Sequence, residues 1–279
     1  MPTIEELKDD LRPLTRQGIA LAFSGGVDSA LLLDVLREMR DEEPFPVLAL
    51  TMVSRFQPSG EVQQARELAR AAGIESCVEF FEPLLIPELR KNPPDRCYQC
   101  KKRFFRAFCD CAQKRGIGVV IDGTNADDIK TYRPGLAALK ELGVRSPLAE
   151  TGFTKADIRK AASERNLTVA QKPSTPCLAT RFEYGFPLTE QWINTVDTGE
   201  MLIRACLPKA RNIRLRVHAN GVARIEVPED CFEAVLAART ILVTGLKNLG
   251  FQYISIDLEG FRSGSMDCRI NPQPQEIVP

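Results

Sequence analysis

Short apolar runs alternate with longer amphipathic stretches through the first two thirds of the chain. The apolar runs predict four buried strands, at residues 18–23, 45–53, 77–81 and 118–124. The amphipathic stretches repeat their apolar positions at helical spacing and predict four helices, at residues 29–40, 59–73, 96–115 and 153–166. Strands that alternate with helices are typical of a parallel, doubly wound α/β sheet, whose ligands bind at the carboxyl ends of the strands.

Capping signals predict the ends of two of these helices. Ser59 is expected to cap the helix at 59–73, and Gly73 is expected to end it. In the helix at 153–166, Thr154 and Asp157 stand three residues apart. They form a capping pair, because each side chain can bond the backbone N–H of the other residue.

The pattern changes after about residue 186. Residues 189–207 and 228–250 have helical periodicity, and 251–260 has the pattern of a strand. Residues 212–227 alternate strongly around Ala-Asn-Gly, which predicts a hairpin. We therefore expect a larger α/β domain at 1–186, a smaller α+β domain at 187–270 and a disordered tail at 271–279.

Composition narrows the class of protein. The chain has 279 residues, is 44% hydrophobic and 27% charged, and has no formal net charge, which is typical of a soluble globular protein. A neutral chain gives no sign of a long-range attraction to nucleic acid. No apolar run approaches the roughly 20 residues that span a bilayer. The acidic N-terminus has no export signal, so we expect a cytoplasmic protein without a membrane or nucleic-acid partner.

The most specific motif follows the first predicted strand and precedes a helix: Ser24-Gly25-Gly26-Val27-Asp28-Ser29. The glycines let successive backbone N–H groups point inward and hold an anion, and the N-terminus of the helix adds positive potential. Asp28 would repel a bare phosphate, so its presence indicates Mg²⁺ beside a pyrophosphate. The segment lacks the Gly-Lys-Ser/Thr of the Walker loop, and the alternative is an ordinary strand–turn–helix corner.

A second polar segment ends the fourth predicted strand, with Gly123, Thr124 and Asn125 at its centre. Because the carboxyl ends of parallel strands share one edge of the sheet, we expect this segment to lie beside the glycine loop. Arg133, a few residues further on, could bind an anion there. The alternative is a simple polar turn.

Three of the nine cysteines stand among basic residues: Cys97, Cys100 and Cys177. Their basic neighbours are expected to lower the thiol pKa values: Arg96, Lys101, Lys102 and Arg181. Structural zinc, a redox disulfide between Cys97 and Cys100, and simple burial are the alternatives. The other six are interpreted as small buried hydrophobic residues: Cys77, Cys109, Cys111, Cys206, Cys231 and Cys268.

Arg214 and Arg216 are two apart on a predicted strand, so both side chains point to one face. Two adjacent long cations suit a phosphate group. The alternative is a strand face that is simply exposed to water.

The glycine loop resembles that of the ATP pyrophosphatase (PP-loop) superfamily, whose members cleave ATP to AMP and pyrophosphate. Seven features together, between about residues 20 and 267, resemble the LarE-type sulfur transferases, which help to build the nickel-pincer nucleotide cofactor: SGGVDS, DGTNADD with YRPG, RCYQCK, PSTPCLATR, RLRVH, ARIEV and SGSMD. The resemblance implies ATP-dependent adenylation of a carboxylate on a pyridinium dicarboxylate mononucleotide, followed by its conversion to a thiocarboxylate. It also implies a homo-oligomer, a hexamer in form.

The resemblance also implies roles for residues. Cys177 would handle the sulfur, with Asp28 and Arg181 as further catalytic residues, while Arg214, Arg216 and Glu226 would hold the substrate phosphate. In one version of the family's chemistry Cys177 gives up its own sulfur and becomes dehydroalanine. In the other, Cys97, Cys100 and Cys177 hold a [4Fe-4S] cluster with one iron left open for sulfide. We favour the cluster because it uses all three cysteines.

Three competing functions remain open from the residues. A tRNA thiolase of the same superfamily would carry an RNA-binding module and a basic surface, which this sequence lacks. A glutamine-dependent amide synthetase would need a glutaminase segment or an ammonia source. A non-catalytic nucleotide or metal sensor would not need Asp28 together with the clustered cysteines.

Overall fold

The computed structural model describes residues 2–130 and 134–266, and the chain divides into two compact units. The first contains Met1–Ser54, Ser59–Glu82 and Asp95–Lys172. The second contains Arg55–Pro58, Pro83–Pro94 and Pro173–Pro279. The second unit thus starts earlier than the boundary at 186 that the sequence predicts. The predicted tail at 271–279 lies outside the described residues.

The described helices and strands are numbered along the whole chain. The strands are β1 (Ile19–Ala22), β2 (Val47–Val53), β3 (Glu75–Phe80), β4 (Val119–Ile121), β5 (Arg214–His218), β6 (Val222–Glu226) and β7 (Tyr253–Ile256). The helices are α1 (Ile4–Thr15), α2 (Val27–Glu42), α3 (Glu61–Ala71), α4 (Pro87–Arg90), α5 (Arg96–Lys114), α6 (Ala126–Ile129), α7 (Gly135–Glu141), α8 (Pro147–Glu150), α9 (Lys155–Glu164), α10 (Glu190–Cys206), α11 (Phe232–Ala237) and α12 (Arg239–Asn248). None of the described helices has the length and apolar character that crossing a membrane requires.

The first unit contains the predicted doubly wound sheet. Its strands are all parallel, in the order β3-β2-β1-β4. Alternate side chains enter two separate cores: Ile19 and Leu21 pack with α1, α2, α3 and α9, whereas Ala20 packs with α5 and α7. Because helices cover both faces, β1 and β4 are apolar along their whole length and β2 is interrupted only by Thr51, whereas the edge strand β3 carries Glu75, Ser76 and Glu79. The α/β prediction is confirmed.

Ion pairs between helices add to this core in the first unit. Arg165, at the end of α9, donates to Asp34 at 2.5 Å and also pairs with Glu38, both on α2. Hydrogen bonds from Lys8 of α1 and then from Arg165 lower the pKa of Glu38 to about 2. Glu38 is therefore ionised at neutral pH, and the pairs hold α2 and α9 side by side.

The two predicted helix starts have different outcomes. The capping pair on α9 is present, because Asp157 donates its backbone N–H to Thr154 Oγ1 at 3.2 Å and Thr154 donates its own to Asp157 Oδ2 at 3.1 Å. The prediction that Ser59 caps α3 is wrong. Gly60 is the N-cap residue, with a φ of 87°. This left-handed conformation suits glycine, and it delays the first helical residue to Glu61.

The second unit contains a separate three-stranded sheet in the order β5-β6-β7. The predicted hairpin is present, with β5 antiparallel to β6 and a turn in which Asn220 and Gly221 have φ values of 62° and 71°. The prediction of one long helix at 228–250 is wrong. A 3₁₀ turn at Glu229–Cys231 precedes α11, and a break at Ala238 separates α11 from α12. No glycine or proline marks that break, and the helical spacing of apolar residues continues across it, so the sequence pattern does not reveal it.

Candidate functional site

The glycine loop connects β1 to α2 in the first unit. Gly25 has a φ of 72°, and a Cβ atom at this position would lie 3.2 Å from the Cα atom of Ala65 on α3. Only glycine fits both this conformation and this approach. Gly26 is the N-cap residue of α2 and makes no side-chain cap hydrogen bond. The backbone N–H groups at the start of this 16-residue helix therefore have no capping side chain and suit an anion.

Two serines fix the shape of this loop. Ser24 Oγ accepts from the Gly26 N–H at 3.3 Å and lies 3.3 Å from Ser29 Oγ. Ser29 Oγ in turn donates to the Gly26 carbonyl at 3.1 Å, and Ser29 is buried. The hydroxyl groups thus hold the backbone in the conformation that directs its N–H groups to one side.

The second polar segment lies against the first turn of α2. A Cβ atom added to Gly123 would lie 3.1 Å from the Ser29 backbone nitrogen, so a larger residue would push the two segments apart. Asn125 donates from Nδ2 to Asp28 Oδ1 at 3.1 Å, and its Oδ1 accepts from the backbone N–H of Asp127 and of Asp128 at the start of α6. The two segments predicted to share one edge of the sheet are brought together at Asp28.

Lys155 joins this group, although no sequence motif predicts it there. Its ammonium group pairs with Asp28 Oδ2, and its backbone N–H donates to Asp127 Oδ2 at 2.8 Å. Lys155 is the first residue of α9, directly after the capping residue Thr154. The capping signal at Thr154 predicts the start of α9 correctly. No local pattern, however, indicates that Lys155 at this helix start contacts Asp28. The ammonium group of Lys155 therefore stands beside the glycine loop.

Asp122 holds the turn after β4 in place through its side chain. Its carboxylate accepts the Thr124 hydroxyl at 2.6 Å, the Thr124 backbone N–H at 3.2 Å and the Ser146 hydroxyl at 2.7 Å. Asp122 and Thr124 are both buried. The Thr124 hydroxyl is thus used within the turn. Arg133, predicted as an anion ligand, lies outside the described residues.

Cys97 and Cys100 lie on the first two turns of α5, three residues apart and therefore on the same face of the helix. Both are half-buried. Arg96 is buried and donates from Nη2 toward Cys97 Sγ at 3.7 Å. Lys102, one of the predicted basic neighbours, instead donates to Glu141 at 2.7 Å. Arg96 therefore supplies the positive charge that lies against a sulfur of this pair.

In the second unit, Cys177 immediately precedes a 3₁₀ turn at Leu178–Arg181. The carbonyl of Cys177 accepts the Thr180 N–H at 3.0 Å and the Thr180 hydroxyl at 2.7 Å. In the same peptide group, the Leu178 N–H donates to the Phe56 carbonyl at 2.7 Å. The peptide that follows Cys177 is therefore held through both its carbonyl and its N–H.

Arg181 is fully buried and binds Glu200 of α10 through two hydrogen bonds of 2.8 and 2.9 Å. The remaining guanidinium nitrogen, Nη1, donates to the carbonyl groups of Pro176 at 2.9 Å and Cys177 at 3.2 Å. Glu200 also accepts the backbone N–H of Leu215 on β5 at 3.0 Å. This geometry suits a residue that positions the segment around Cys177, whereas the family resemblance implies a catalytic role for Arg181.

Arg216 and Glu226 form a buried pair across the β5–β6 hairpin. Arg216 donates to Glu226 Oε2 at 2.9 Å and to the Thr180 carbonyl at 3.0 Å. Glu226 has no exposed surface and also accepts from Arg224 at 3.0 Å and from Ser265 at 2.7 Å. The alternative of a strand face exposed to water is therefore wrong for this position, and the charge of Arg216 is already balanced.

Arg214 is also buried but has a different set of partners. It donates to the Ile213 carbonyl at 2.7 Å and the Ser174 carbonyl at 2.9 Å, and its guanidinium group stacks 5.0 Å from the Phe261 ring centre. Within residues 2–130 and 134–266, no carboxylate lies at ion-pair distance from it. Burial, followed by the charge of Arg181, lowers the pKa of Arg214 to about 10. Arg214 is still a cation at neutral pH and suits an anionic ligand.

Sequence comparison gives the family. The chain is 35% identical to the pyridinium-3,5-bisthiocarboxylic acid mononucleotide synthase of Lactiplantibacillus plantarum, over 90% of this chain and 89% of that protein. The chain belongs to the family of LarE-type sulfur transferases. An uncharacterized protein of Synechocystis sp. is 34% identical, over 88% of this chain and 91% of its own length. No family model matches the chain. The resemblance inferred from the motifs is thus confirmed.

More distant PP-loop enzymes resemble only part of this LarE-type chain. The tRNA-specific 2-thiouridylase MnmA of Frankia casuarinae is 28% identical over 56% of the chain and 53% of its own length. The shared part supports a common PP-loop fold. It fits the alternative of a tRNA thiolase only weakly. Membership of an enzyme family also disfavours the alternative of a non-catalytic sensor.

The buried pair of Arg181 and Glu200 leads to a prediction on stability. We expect Arg181→Met to lower the free energy of unfolding by about 3–5 kcal/mol, because it leaves the Glu200 carboxylate buried without its partner. Replacing both residues, Arg181→Met with Glu200→Leu, should cost less than the single change. Urea unfolding followed by circular dichroism measures each difference.

Arg262→Met provides a matched control for that prediction. Arg262 pairs with Asp257 at 3.1 Å, but its side chain is 41% exposed. Its loss should cost no more than about 1 kcal/mol. Equal losses for Arg181→Met and Arg262→Met would contradict the importance assigned to the buried pair.

Proposed function

We propose that this protein is an ATP-dependent sulfur transferase of nickel-pincer nucleotide biosynthesis. It adenylates a carboxylate of a pyridinium dicarboxylate mononucleotide and converts that group to a thiocarboxylate. The observation that carries the proposal is the group formed by the glycine loop, Asp28, Asn125 and Lys155 in a LarE-type chain. This group combines uncapped backbone N–H donors, a carboxylate suited to Mg²⁺ and the ammonium group of Lys155.

The first step is the attack of a substrate carboxylate oxygen on the α-phosphorus of ATP. The bond from the α-phosphorus to the bridging oxygen breaks, and pyrophosphate leaves with the electron pair. Backbone N–H groups from Ser24 to Ser29 and the start of α2 hold the leaving pyrophosphate, beside Gly123 and Thr124. Asp28 would hold Mg²⁺, which supplies positive charge to the phosphates when bound, and Lys155, which pairs with Asp28, would then be available to the phosphate oxygens. The charge that develops on the leaving group is thus neutralised from two sides.

The products of ATP cleavage test this step. With the dicarboxylate mononucleotide present, the protein should release AMP and pyrophosphate, measured by chromatography and a coupled pyrophosphate assay. Asp28→Asn should slow the reaction roughly 100-fold or more, because it removes a carboxylate charge that positions the metal. Asp41→Asn, an exposed change near the end of the same helix, should leave the rate unchanged. Release of ADP and orthophosphate instead would contradict the proposal.

The substrate phosphate is assigned to Arg214 and Arg216, with Glu226 orienting the second of them. Arg214 is the stronger candidate ligand, because its protein partners are carbonyl groups and an aromatic ring. Arg216 has its charge balanced by Glu226 and retains fewer donors for a ligand. A phosphate at Arg214 would supply the negative charge that this buried cation otherwise lacks.

Binding measurements test the phosphate assignment. Arg214→Ala should weaken binding of the mononucleotide by about 1.5–3 kcal/mol, the value of a charged hydrogen bond, and Arg216→Ala should weaken it too. Isothermal titration calorimetry should show little change in ATP affinity for either variant. Arg211→Ala removes an exposed arginine just before the strand and serves as the control. An equal loss of ATP and mononucleotide affinity would argue against a dedicated phosphate site.

We propose Cys177 as the residue that handles sulfur, and a [4Fe-4S] cluster held by Cys97, Cys100 and Cys177 as the carrier of a sulfide that is delivered from outside the protein. The shared helical face of Cys97 and Cys100 and the charge of Arg96 suit a negatively charged cluster. When bound, a cluster with three cysteine ligands supplies an iron atom that is free to carry the transferred sulfur. Arg181 keeps the Cys177 segment in place. In the alternative scheme, Cys177 gives up its own sulfur.

Iron content and mass spectrometry separate these two schemes. Protein purified without oxygen should contain about four iron atoms and four sulfides per chain. Alanine at Cys97, Cys100 or Cys177 should abolish or destabilise the cluster and stop sulfur transfer, while adenylation continues. Cys109→Ala should have neither effect, because Cys109 is not among the proposed ligands. Iron-free protein in which residue 177 becomes dehydroalanine in step with product would establish the sacrificial scheme instead.

The proposal extends to the domains of the protein, its oligomeric state and its place in the cell. We propose that residues 1–186 form the ATP pyrophosphatase domain and 187–270 a domain for substrate binding and oligomerisation. The assembly is a homo-oligomer, a hexamer by resemblance to the family. The protein acts in the cytoplasm on a small nucleotide, without a nucleic-acid or membrane partner. The formal net charge of zero supports the absence of a nucleic-acid partner.

A further inference from the structure

A second group of sulfur and carboxylate side chains lies on the first unit, at the edge strand β3. Cys77 and Glu79 are two residues apart on this strand, so both side chains project from the same face. Cys111 of α5 packs against that face, with its Sγ 3.5 Å from Cys77 Sγ. Glu79 Oε1 lies 3.8 Å from Cys77 Sγ. All three potential ligand atoms lie within 4.8 Å of one another.

We propose that Cys77, Glu79 and Cys111 bind a divalent cation of the zinc class. Two thiolates and a carboxylate oxygen are donors that Zn²⁺ takes readily. Zinc–sulfur bonds of about 2.3 Å in a tetrahedral site place two sulfur atoms roughly 3.7 Å apart. The observed separation of 3.5 Å is close to that value. The three side chains therefore need little movement to receive the ion, and a fourth position remains for water.

Arg115 supplies the charge that such a site requires. Two thiolates and one carboxylate around a divalent cation carry one excess negative charge. Arg115 donates from Nη1 to Cys111 Sγ at 2.9 Å and from Nη2 to Cys77 Sγ at 3.3 Å. Hydrogen bonds of this kind orient metal-bound ligands and tune their basicity. The guanidinium group thus contacts both sulfur atoms and balances the excess charge.

An open cavity gives the ion a path from solvent. It has a volume of about 350 Å³, and its lining includes Glu79, Cys111 and Arg115. Asp110 and Lys114 of α5 complete its polar wall. A cation can therefore reach the ligands without opening the core of the unit.

A disulfide between Cys77 and Cys111 is the competing use of the same sulfur atoms. A sulfur–sulfur bond of about 2.05 Å would require the two atoms to approach further. A disulfide would also leave Glu79 without a function at the site. The convergence of a carboxylate on two sulfur atoms therefore favours a cation.

Cobalt titration tests the proposal directly, because tetrahedral Co²⁺ bound to thiolates has a characteristic visible spectrum. The host is the full chain with Cys97→Ala, Cys100→Ala and Cys177→Ala, so that the cysteines assigned to iron cannot bind the probe. The reduced host should bind one Co²⁺ per chain with sulfur-to-cobalt charge-transfer bands, and Zn²⁺ should displace it. Because these cysteines are absent, the outcome does not depend on the sulfur-transfer function.

Single substitutions in this host show which residues give rise to the sulfur-to-cobalt charge-transfer bands. Cys77→Ser or Cys111→Ser should weaken Co²⁺ binding at least tenfold and reduce the charge-transfer bands. Glu79→Gln, a partly exposed change that leaves both sulfurs in place, should weaken binding while retaining those bands. Cys109→Ser replaces a nearby cysteine of the same helix and should change neither. Circular dichroism checks that each variant is folded.

Three outcomes would overturn the cation proposal. The first is a reduced, folded host that gives no tetrahedral cobalt spectrum, and the second is a spectrum that persists in Cys111→Ser. The third is a Cys77–Cys111 disulfide that forms with oxidised glutathione equally fast with and without Zn²⁺. In that reaction the protein loses two thiol protons, and glutathione disulfide is reduced to two thiols. A bound ion should instead protect both sulfurs and slow the reaction.

Discussion

The buried charge of Arg181 constrains the path of the chain in the second unit. A guanidinium group removed from water loses several kcal/mol of hydration, so each of its donors must find a partner. Glu200 provides both carboxylate oxygens, and the carbonyl groups of Pro176 and Cys177 accept from the remaining nitrogen. Since Glu200 also receives the Leu215 N–H, α10, β5 and the Cys177 segment are joined in one network. The path of the chain at Cys177 follows from this requirement.

The same need of a buried guanidinium group for partners gives the neighbouring arginines, Arg214 and Arg216, different properties. Arg216 faces Glu226, whose carboxylate is completely buried, and the pair is electrically neutral. Arg214 lies among carbonyl groups and next to like charge, which is why its pKa falls. A cation held in this way is already oriented before any ligand arrives. In such a low-dielectric setting, one hydrogen bond to an anion is stronger than the same bond at the surface.

Local sequence patterns predict the features that local physics determines. The parallel strands, the hairpin at Asn220 and the cap at Thr154 each depend on a few adjacent residues, and each is present. The pair between Lys155 and Asp28 spans 127 positions and depends on how α9 packs against α2. No short pattern encodes that distance. The break at Ala238 is missed for a related reason, since alanine is favourable inside a helix and tertiary packing decides where the helix ends.

The cysteines show why the surroundings of a sulfur atom decide its chemistry. Burial of isolated small side chains is the expected state for most cysteines, and sequence alone assigns Cys77 and Cys111 to that class. In the folded unit these two sulfurs meet each other, a carboxylate and a guanidinium group. Burial, followed by the contacts with Glu79 and Cys77, raises the pKa of the Cys111 thiol. A polar environment of this kind costs free energy to bury, which argues that it is kept for a ligand and not for packing.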